Sequence, residues 1–339
     1  GLDAHSSFLE AKLLEGMRED TKGEIEGIGV SIKPPDENGD ILVYKAVPGS
    51  PAEKVGLQAK DIIIKVDGTP TAGLDIHDVV DMIKGPRGTS VKITVSRAVA
   101  GQENRVEFEY KVKRDKVALE SIKEARLLDG GIAYIRISDF KDNTARDLKE
   151  KLTTLKQEGM IGLVLDLRSN PGGLLTASKE VCGLFLPKNS LVTYTQGRLK
   201  SNGDDNDSNL RLYTEKKPIL SPKFPIIILV NEDTASSSEI VTGAMQYYKH
   251  ALILGEKTFG KGSVQTIIPL QRPQNTAMRL TTALYYTPAE VTIHHQGILP
   301  DITVDMSNEH EQLLELQMRS SYTDDPSMEG KQNHGPVTG

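Results

Sequence analysis

From residue 132 onward, short apolar runs alternate with longer amphipathic stretches, and no other feature limits the possible fold as tightly. Ile132 to Ile137 reads as a strand, Thr144 to Glu158 as a helix and Ile161 to Leu167 as a continuous buried strand. Thr176 to Phe185 then reads as a helix, and Ile226 to Val230 as a strand feeding a helix from about Ser238. Such alternation favours an α/β layer architecture, in which helices cover a sheet. At 339 residues the chain exceeds one small core and suits one large domain plus a smaller one.

The smaller domain is expected ahead of this alternation. From Ile25 to about Lys113, short apolar strands are separated by turn signals such as Glu37-Asn38-Gly39-Asp40 and Asp67-Gly68. One helical stretch interrupts them, Asp75 to Lys84, where Ile76, Val79, Val80 and Ile83 fall at i, i+3, i+4 and i+7 and form one apolar stripe. Gly27-Ile28-Gly29-Val30 precedes a strand, and with Ser50-Pro51-Ala52-Glu53-Lys54-Val55-Gly56-Leu57 and Gly68 the segment resembles a PDZ domain. Taken alone, Gly-Ile-Gly-Val is also an ordinary glycine-tolerant turn. The resemblance implies that the glycine loop's backbone N–H groups capture a terminal carboxylate while the peptide adds a strand along Val30-Ser31-Ile32. It also implies a pocket for the last peptide residue, built from Ile28, Val30, Val80 and Ile83.

A charged junction at Arg114 to Lys116 marks the change of pattern. The expected divisions are 24–115 for the PDZ domain, 116–305 for the larger domain, and 1–23 as part of that core or of a truncated helical region. A helix from Glu309 to Arg319 and a disordered tail fill 306–339. The polar stretch Gly197 to Lys217 reads as a mobile surface loop. The net charge of −6, with Lys and Arg scattered, offers no basic stripe and argues against a nucleic-acid partner. Phe224 to Val230, the densest apolar run, is too short to cross a bilayer. Cys182 stands alone and cannot form an internal disulfide. No signal peptide is visible; because the chain opens abruptly at Gly1-Leu2-Asp3-Ala4-His5, an N-terminal portion is expected to be missing.

Three segments of the larger domain carry candidate chemistry. Asn231 to Ile240, containing Ser236-Ser237-Ser238-Glu239, follows a buried strand and opens a helix. That geometry exposes a hydroxyl at a sheet end, with helix N–H groups aimed at developing negative charge. Ser236-x-x-Glu239 is equally a capping box that needs no chemistry. Glu256 to Gln265 supplies Lys261 between Gly260 and Gly262. A lysine acts as a base only when its amine is neutral, which demands a poorly solvated setting; a solvated lysine in a glycine turn is the alternative. Gly255-x-x-x-x-Gly260-Lys261 also has phosphate-loop spacing, but Gly262 replaces the magnesium-binding hydroxyl and Val264 to Leu270 reads as strand where a helix should begin. The third segment, Asp166 to Leu174 with Asn170-Pro171-Gly172-Gly173, joins a strand to a helix. Its glycines can present bare N–H groups to an oxyanion, or form a plain Pro-Gly turn.

In this order, behind the PDZ-like module, the three segments resemble the C-terminal processing peptidases, also called tail-specific proteases. The resemblance extends to about Asp305. It implies a ClpP-like or crotonase-like core, Ser236 as nucleophile, Lys261 as general base and Gln265 as the residue orienting the lysine. The separation of twenty-five positions from Ser236 to Lys261 fits that pattern. The implied oxyanion donors are the N–H of Ser237 and of Gly172, with Gly173 as the alternative. No cofactor or metal is implied. The expected partners are proteins with unstructured, apolar C-termini, in an exported setting, the bacterial periplasm or alternatively a plastid lumen; homo-oligomerisation is left open. Ala4 departs from the family pattern, where Pro is usual, and Thr234 and Ser237 replace more typical Ser and Ala. Thr287 to Ile293 lacks a usual Gly-Arg.

Two rival readings remain distinct. A Ser-His-Asp hydrolase would use His294 or His295, but adjacent histidines in a predicted strand face opposite ways, so at most one reaches the serine. A PDZ adaptor that has lost activity would not need Ser236, Lys261 and Gln265. Pairs such as His294 with Asp301 offer no full metal-ligand set.

Overall fold

A computed structural model describes residues 3, 5–34, 39–197, 210–307, 309–310 and 312–314. The chain divides into two compact units, Gly1–Gly23 with Glu120–Ser307, and Glu24–Leu119 with Asn308–Gly339. Strand β1 (Ser7–Leu9) and helix α1 (Ala11–Lys22) belong to the first.

The second unit runs through β2 (Glu24–Gly27), β3 (Val30–Ile32), β4 (Ile41–Ala46), α2 (Pro51–Val55), β5 (Ile62–Val66) and β6 (Thr69–Pro70). Helix α3 (Ile76–Ile83) follows, then β7 (Ser90–Arg97), β8 (Val106–Lys113) and β9 (Asp115–Ala118). Strands β3, β4, β5, β7 and β8 form an antiparallel sheet with β6 attached to β5, and β2 pairs with β9. Asp75 starts α3 by accepting the His77 N–H at 2.8 Å. The apolar stripe lies as its spacing requires, with Val79 and Ile83 buried against Ile41, Ile63, Val91 and Ile93.

The chain then continues in the first unit with β10 (Ile122–Leu128), β11 (Ile132–Ile137), α4 (Thr144–Gln157), β12 (Gly162–Asp166), α5 (Leu175–Cys182) and β13 (Leu191–Gly197). Next come β14 (Arg211–Tyr213), β15 (Ile226–Val230), α6 (Ser237–Tyr247), β16 (Leu252–Gly255), β17 (Ser263–Pro269), β18 (Ala277–Tyr286) and β19 (Ile302–Thr303). One sheet has the order β10-β11-β12-β15-β16-β19, parallel except for β10. Its central strands read as unbroken apolar runs because both faces are covered, and Leu148, Leu152, Ile135, Leu165 and Phe185 are fully buried in that core. A second, antiparallel sheet has the order β1-β18-β13-β14, with β17 on the other edge of β18.

Because β11, β12, β15 and β16 run in one direction, the loops after them leave the same end of the sheet, where open α/β folds place their sites. The histidine pair departs from expectation: His294 and His295 occupy a turn, with His295 at φ +60° and the two rings 3.8 Å apart, so alternation in a strand does not separate them. Within the expected C-terminal helix, residues 309–310 and 312–314 are helical; its remainder, the tail and residues 198–209 of the polar loop lie outside the described residues.

Candidate active site

Ser236 ends the loop after β15 and caps α6 with φ +55° and ψ −117°. A non-glycine residue in such a conformation costs roughly 1–3 kcal/mol and persists only where its surroundings enforce it. Those surroundings are specific. The Ala235 N–H donates to the Asn170 carbonyl at 3.0 Å, Thr234 Oγ1 donates to the Leu167 carbonyl at 2.9 Å, and Ser238 Oγ donates to the Asn170 carbonyl at 3.0 Å. The elbow is thus stitched to the loop after β12. Ser236 remains 8% exposed, whereas Ser237 and Ser238 are sealed.

That second loop begins at a buried ion pair. Asp166, at the end of β12, accepts from Arg168 Nε at 2.9 Å, Arg168 Nη2 at 2.6 Å and the Tyr134 hydroxyl at 2.7 Å. Burial and then the Asp166 charge push the Tyr134 hydroxyl's pKa well above its usual value. Asn170 follows, fully buried, donating through Nδ2 to the Ile137 carbonyl at 2.9 Å and accepting the Gly172 N–H through Oδ1 at 2.9 Å. Gly172 backs directly on the Ser236 loop, since a Cβ there would stand 2.8 Å from Ser236 Cβ and from Ser237 N. Its N–H is nevertheless engaged by Asn170, which counts against Gly172 as the oxyanion donor. Gly173 lies beside Phe140, where a Cβ would meet the Phe140 carbonyl oxygen at 2.1 Å, and its own carbonyl accepts from Ser237 Oγ at 3.0 Å. Two hydrogen bonds flank it, Phe140 N–H to the Gly172 carbonyl and Leu174 N–H to the Phe140 carbonyl.

Lys261 sits half-buried in the loop between β16 and β17. That loop is clamped on both sides: the His295 N–H donates to the Gly260 carbonyl at 2.8 Å, and the Tyr285 N–H to the Gly262 carbonyl at 2.7 Å. A Cβ at Gly262 would stand 2.4 Å from His294 N, so only glycine permits this approach. The strand β17 follows where a phosphate loop would need a helix. The decisive contact is made by Glu239, whose Oε2 accepts both the Ser236 N–H at 2.8 Å and the Lys261 N–H at 2.9 Å. Residues far apart in sequence therefore share one acceptor atom. Gln265, four positions on, donates through Nε2 to Thr281 Oγ1 at 2.7 Å. The Thr281 N–H in turn reaches Ser6 Oγ at 3.2 Å, and Ser6 Oγ donates to Asp3 at 2.6 Å, so Ser6 and β1 brace the same strand.

Comparisons with known proteins give the family. Residues 131–304 match peptidase family S41 and residues 42–97 match a PDZ domain. The chain belongs to peptidase family S41. It is 39% identical over 308 residues to a carboxy-terminal-processing protease of Bartonella bacilliformis, covering 90% of this chain and 67% of that protein. It is 33% identical to a chloroplastic C-terminal processing peptidase of Tetradesmus obliquus, covering 89% of this chain and 65% of the relative. A solved photosystem II D1 C-terminal processing protease matches with a TM-score of 0.51 at 31% identity, over 89% of this chain and 78% of that one. The chain thus spans about two thirds of the curated relatives' length.

In the PDZ module the proposed pocket residues separate into two kinds. Ile28 and Ile83 are 1% and 5% exposed and belong to the module's core, while Val30 and Val80 are half-buried. Of these four candidates, Val30 and Val80 thus keep surface that a ligand can reach, while Ile28 and Ile83 pack into the module's own core. Gly29 is at φ +76° with a Cβ position 2.4 Å from Ser50 Cβ, which accounts for glycine there. Gly27, the last residue of β2, pairs with Asp115. Elsewhere, among the described residues, no group of three or more His, Cys, Asp or Glu could hold a metal, and no helix is long and apolar enough to cross a membrane.

Sequence reasoning missed the reach of Glu239 and of Asn170. Glu239 was legible only as a helix cap; its complete burial, with no salt bridge among the described residues, is visible only in three dimensions.

Proposed function

We propose that the chain is a serine endopeptidase that cuts with a Ser236/Lys261 pair. The observation that carries this reading is the shared acceptor: Glu239 Oε2 holds the backbone of a strained serine elbow and the backbone of a half-buried lysine. In the proposed cycle the neutral Lys261 amine takes the Ser236 hydroxyl proton as Oγ attacks the peptide carbonyl. The resulting oxyanion accepts from the Ser237 N–H, the first of α6 and without an acceptor inside its helix, and from a glycine N–H. Gly173 is the better candidate, because the hydrogen bonds flanking it are those of a parallel bridge and leave its N–H turned the other way. The lysine ammonium returns its proton to the leaving amine, and water, activated by the same amine, releases the acyl group. With Nε2 of Gln265 committed to Thr281, its carbonyl end is the one available to orient the lysine.

Substrates are proposed to be proteins with unstructured, apolar C-termini that pair with β3 of the PDZ module and contact Val30 and Val80. An exported compartment, the periplasm or a plastid lumen, suits such processing. The test is cleavage of an unstructured protein with an apolar C-terminus by the parent chain, Ser236→Ala and Lys261→Ala, from about pH 6 to 10 with chelator present. Cleavage by the parent alone, faster as pH rises, is the expected outcome. Equal cleavage by Lys261→Ala would remove the lysine from the mechanism, and a silent parent would favour the adaptor reading.

A further inference from the structure

We infer that Glu239 is a positioning residue for this chemistry: its carboxylate fixes the nucleophile and the base loop relative to each other. The inference rests on the peptidase reading. Glu239 is the third residue of α6 and has no solvent exposure. Besides the Ser236 and Lys261 N–H groups on Oε2, it accepts from the Gly260 N–H at 2.7 Å and from the Thr258 hydroxyl at 2.6 Å, both on Oε1. Four donors fill the roughly four lone-pair sites of an ionised carboxylate. They also offset its desolvation, which is severe for a buried charge left unpaired.

A helix cap accounts for only one of these contacts. In a capping box the third helical residue reaches back to the N–H of the cap residue, here Ser236. The other three donors come from the loop of Thr258, Gly260 and Lys261, which has no part in starting α6. Thr258 is itself 3% exposed and accepts the Ile298 N–H at 2.7 Å, so its hydroxyl is oriented from the far side. The carboxylate is therefore a rigid strut between two loops that must keep hydroxyl and amine in register. Charge-assisted bonds of this kind are short and directional, as a positioning element requires.

The chemistry predicts which substitution fails. In Glu239→Gln one end of the side chain becomes an NH2 group, and whichever way the amide turns, two donors face another donor. Thr258 can reverse its hydroxyl to accept, so the amide should settle with its nitrogen toward Thr258, leaving the Gly260 N–H unpaired and the loop displaced. A displacement near 1 Å at a reacting group costs about 100-fold in rate.

The experiment uses the full 339-residue chain with an unstructured protein substrate, measuring kcat, KM and thermal unfolding for the parent, Ser236→Ala, Glu239→Gln, Thr258→Val and Thr258→Ser. Expected are a kcat about 100-fold lower in Glu239→Gln, a smaller fall of about 10-fold in Thr258→Val, near-parental kcat in Thr258→Ser, and KM within about twofold throughout. Should Glu239→Gln not fold, the Thr258 pair carries the test alone. Parental kcat in Glu239→Gln or Thr258→Val, a rise in KM alone, or a loss equal to the unfolded fraction would overturn the strut while leaving the peptidase reading intact. A parent no faster than Ser236→Ala would instead overturn the peptidase reading beneath it.

Discussion

Replacing Gly262 with alanine isolates the geometry of the lysine loop from its chemistry, because no reacting group is removed. Gly262 does not need a left-handed conformation, so the cost is one of space. The added Cβ would stand 2.4 Å from His294 N and 2.7 Å from His294 Cα, both main-chain atoms, where ordinary contacts fall at 3.4–4 Å. The loop and the 294–296 turn must part by about 1 Å, and such a shift beside the proposed base is worth about 100-fold in rate, or about 2.7 kcal/mol of barrier. Overpacking itself costs roughly 1–3 kcal/mol of stability, a fall of several degrees in Tm for a unit of this size. The assay pairs kcat on an unstructured protein substrate with a thermal melt, and Gly16→Ala serves as the control. Gly16 lies in α1 with nothing within 4 Å of its Cβ position, so alanine there should gain up to ~1 kcal/mol of helix stability without affecting rate. A folded Gly262→Ala variant with kcat within about threefold of the parent would refute the claim that this clamp sets the lysine's position.

Two other outcomes test separate parts of the molecule. Asp61→Ala in the PDZ module strips a fully buried carboxylate that accepts from Arg97 Nε at 2.6 Å, Arg97 Nη2 at 2.7 Å and the Gln58 N–H at 2.9 Å, so urea unfolding should show a loss of about 3–5 kcal/mol; a loss under about 1 kcal/mol would mean that Arg97 finds new partners. His294 is held below its usual pKa of 6.5 by burial, then by the His295 charge, so the folded state favours the neutral ring. Its contribution is complete above pH 6.5 and is lost as pH falls through the lowered value, and an imidazole NMR titration with a midpoint at or above 6.5 would contradict this.

How far the sequence could be read depended on whether a signal was local. Strands β11, β12 and β15 and helices α3 and α4 were legible because periodicity records burial directly, and the observed apolar stripes fall where the spacing puts them. Ile28 was legible as apolar but not as core, because the letters do not say whether an apolar residue beside a glycine loop faces a ligand or its own sheet. The histidine turn was misread for a related reason: Thr292-Ile293-His294 alternates like a strand, while the reversal comes from His295 at φ +60° and from the backbone contact at Gly262. Glu239 marks the limit. Its local role, a cap, was correct, and its long-range one could not be inferred from spacing because three of its donors are main-chain or hydroxyl groups in a distant loop.

Asn170 shows why the loops at this end of the sheet form one unit rather than four independent turns. Its Nδ2 holds the carbonyl that ends β11, its Oδ1 holds Gly172, and its own carbonyl receives both the Ala235 N–H and Ser238 Oγ. Thr234 then accepts the Phe259 N–H through its carbonyl, and Glu239 ties Ser236 to Lys261. Apart from the local bonds of Asn170 to Gly172 and of Glu239 to Ser236, these bonds cross from the end of one parallel strand to its neighbour, so the elbow strain at Ser236 is opposed by contacts from the loops on both sides. Buried polar networks of this kind hold a single geometry only when every member is satisfied. Asn170 and Glu239 are thus the two joints through which a sheet built by apolar periodicity imposes a precise position on side chains that periodicity cannot encode.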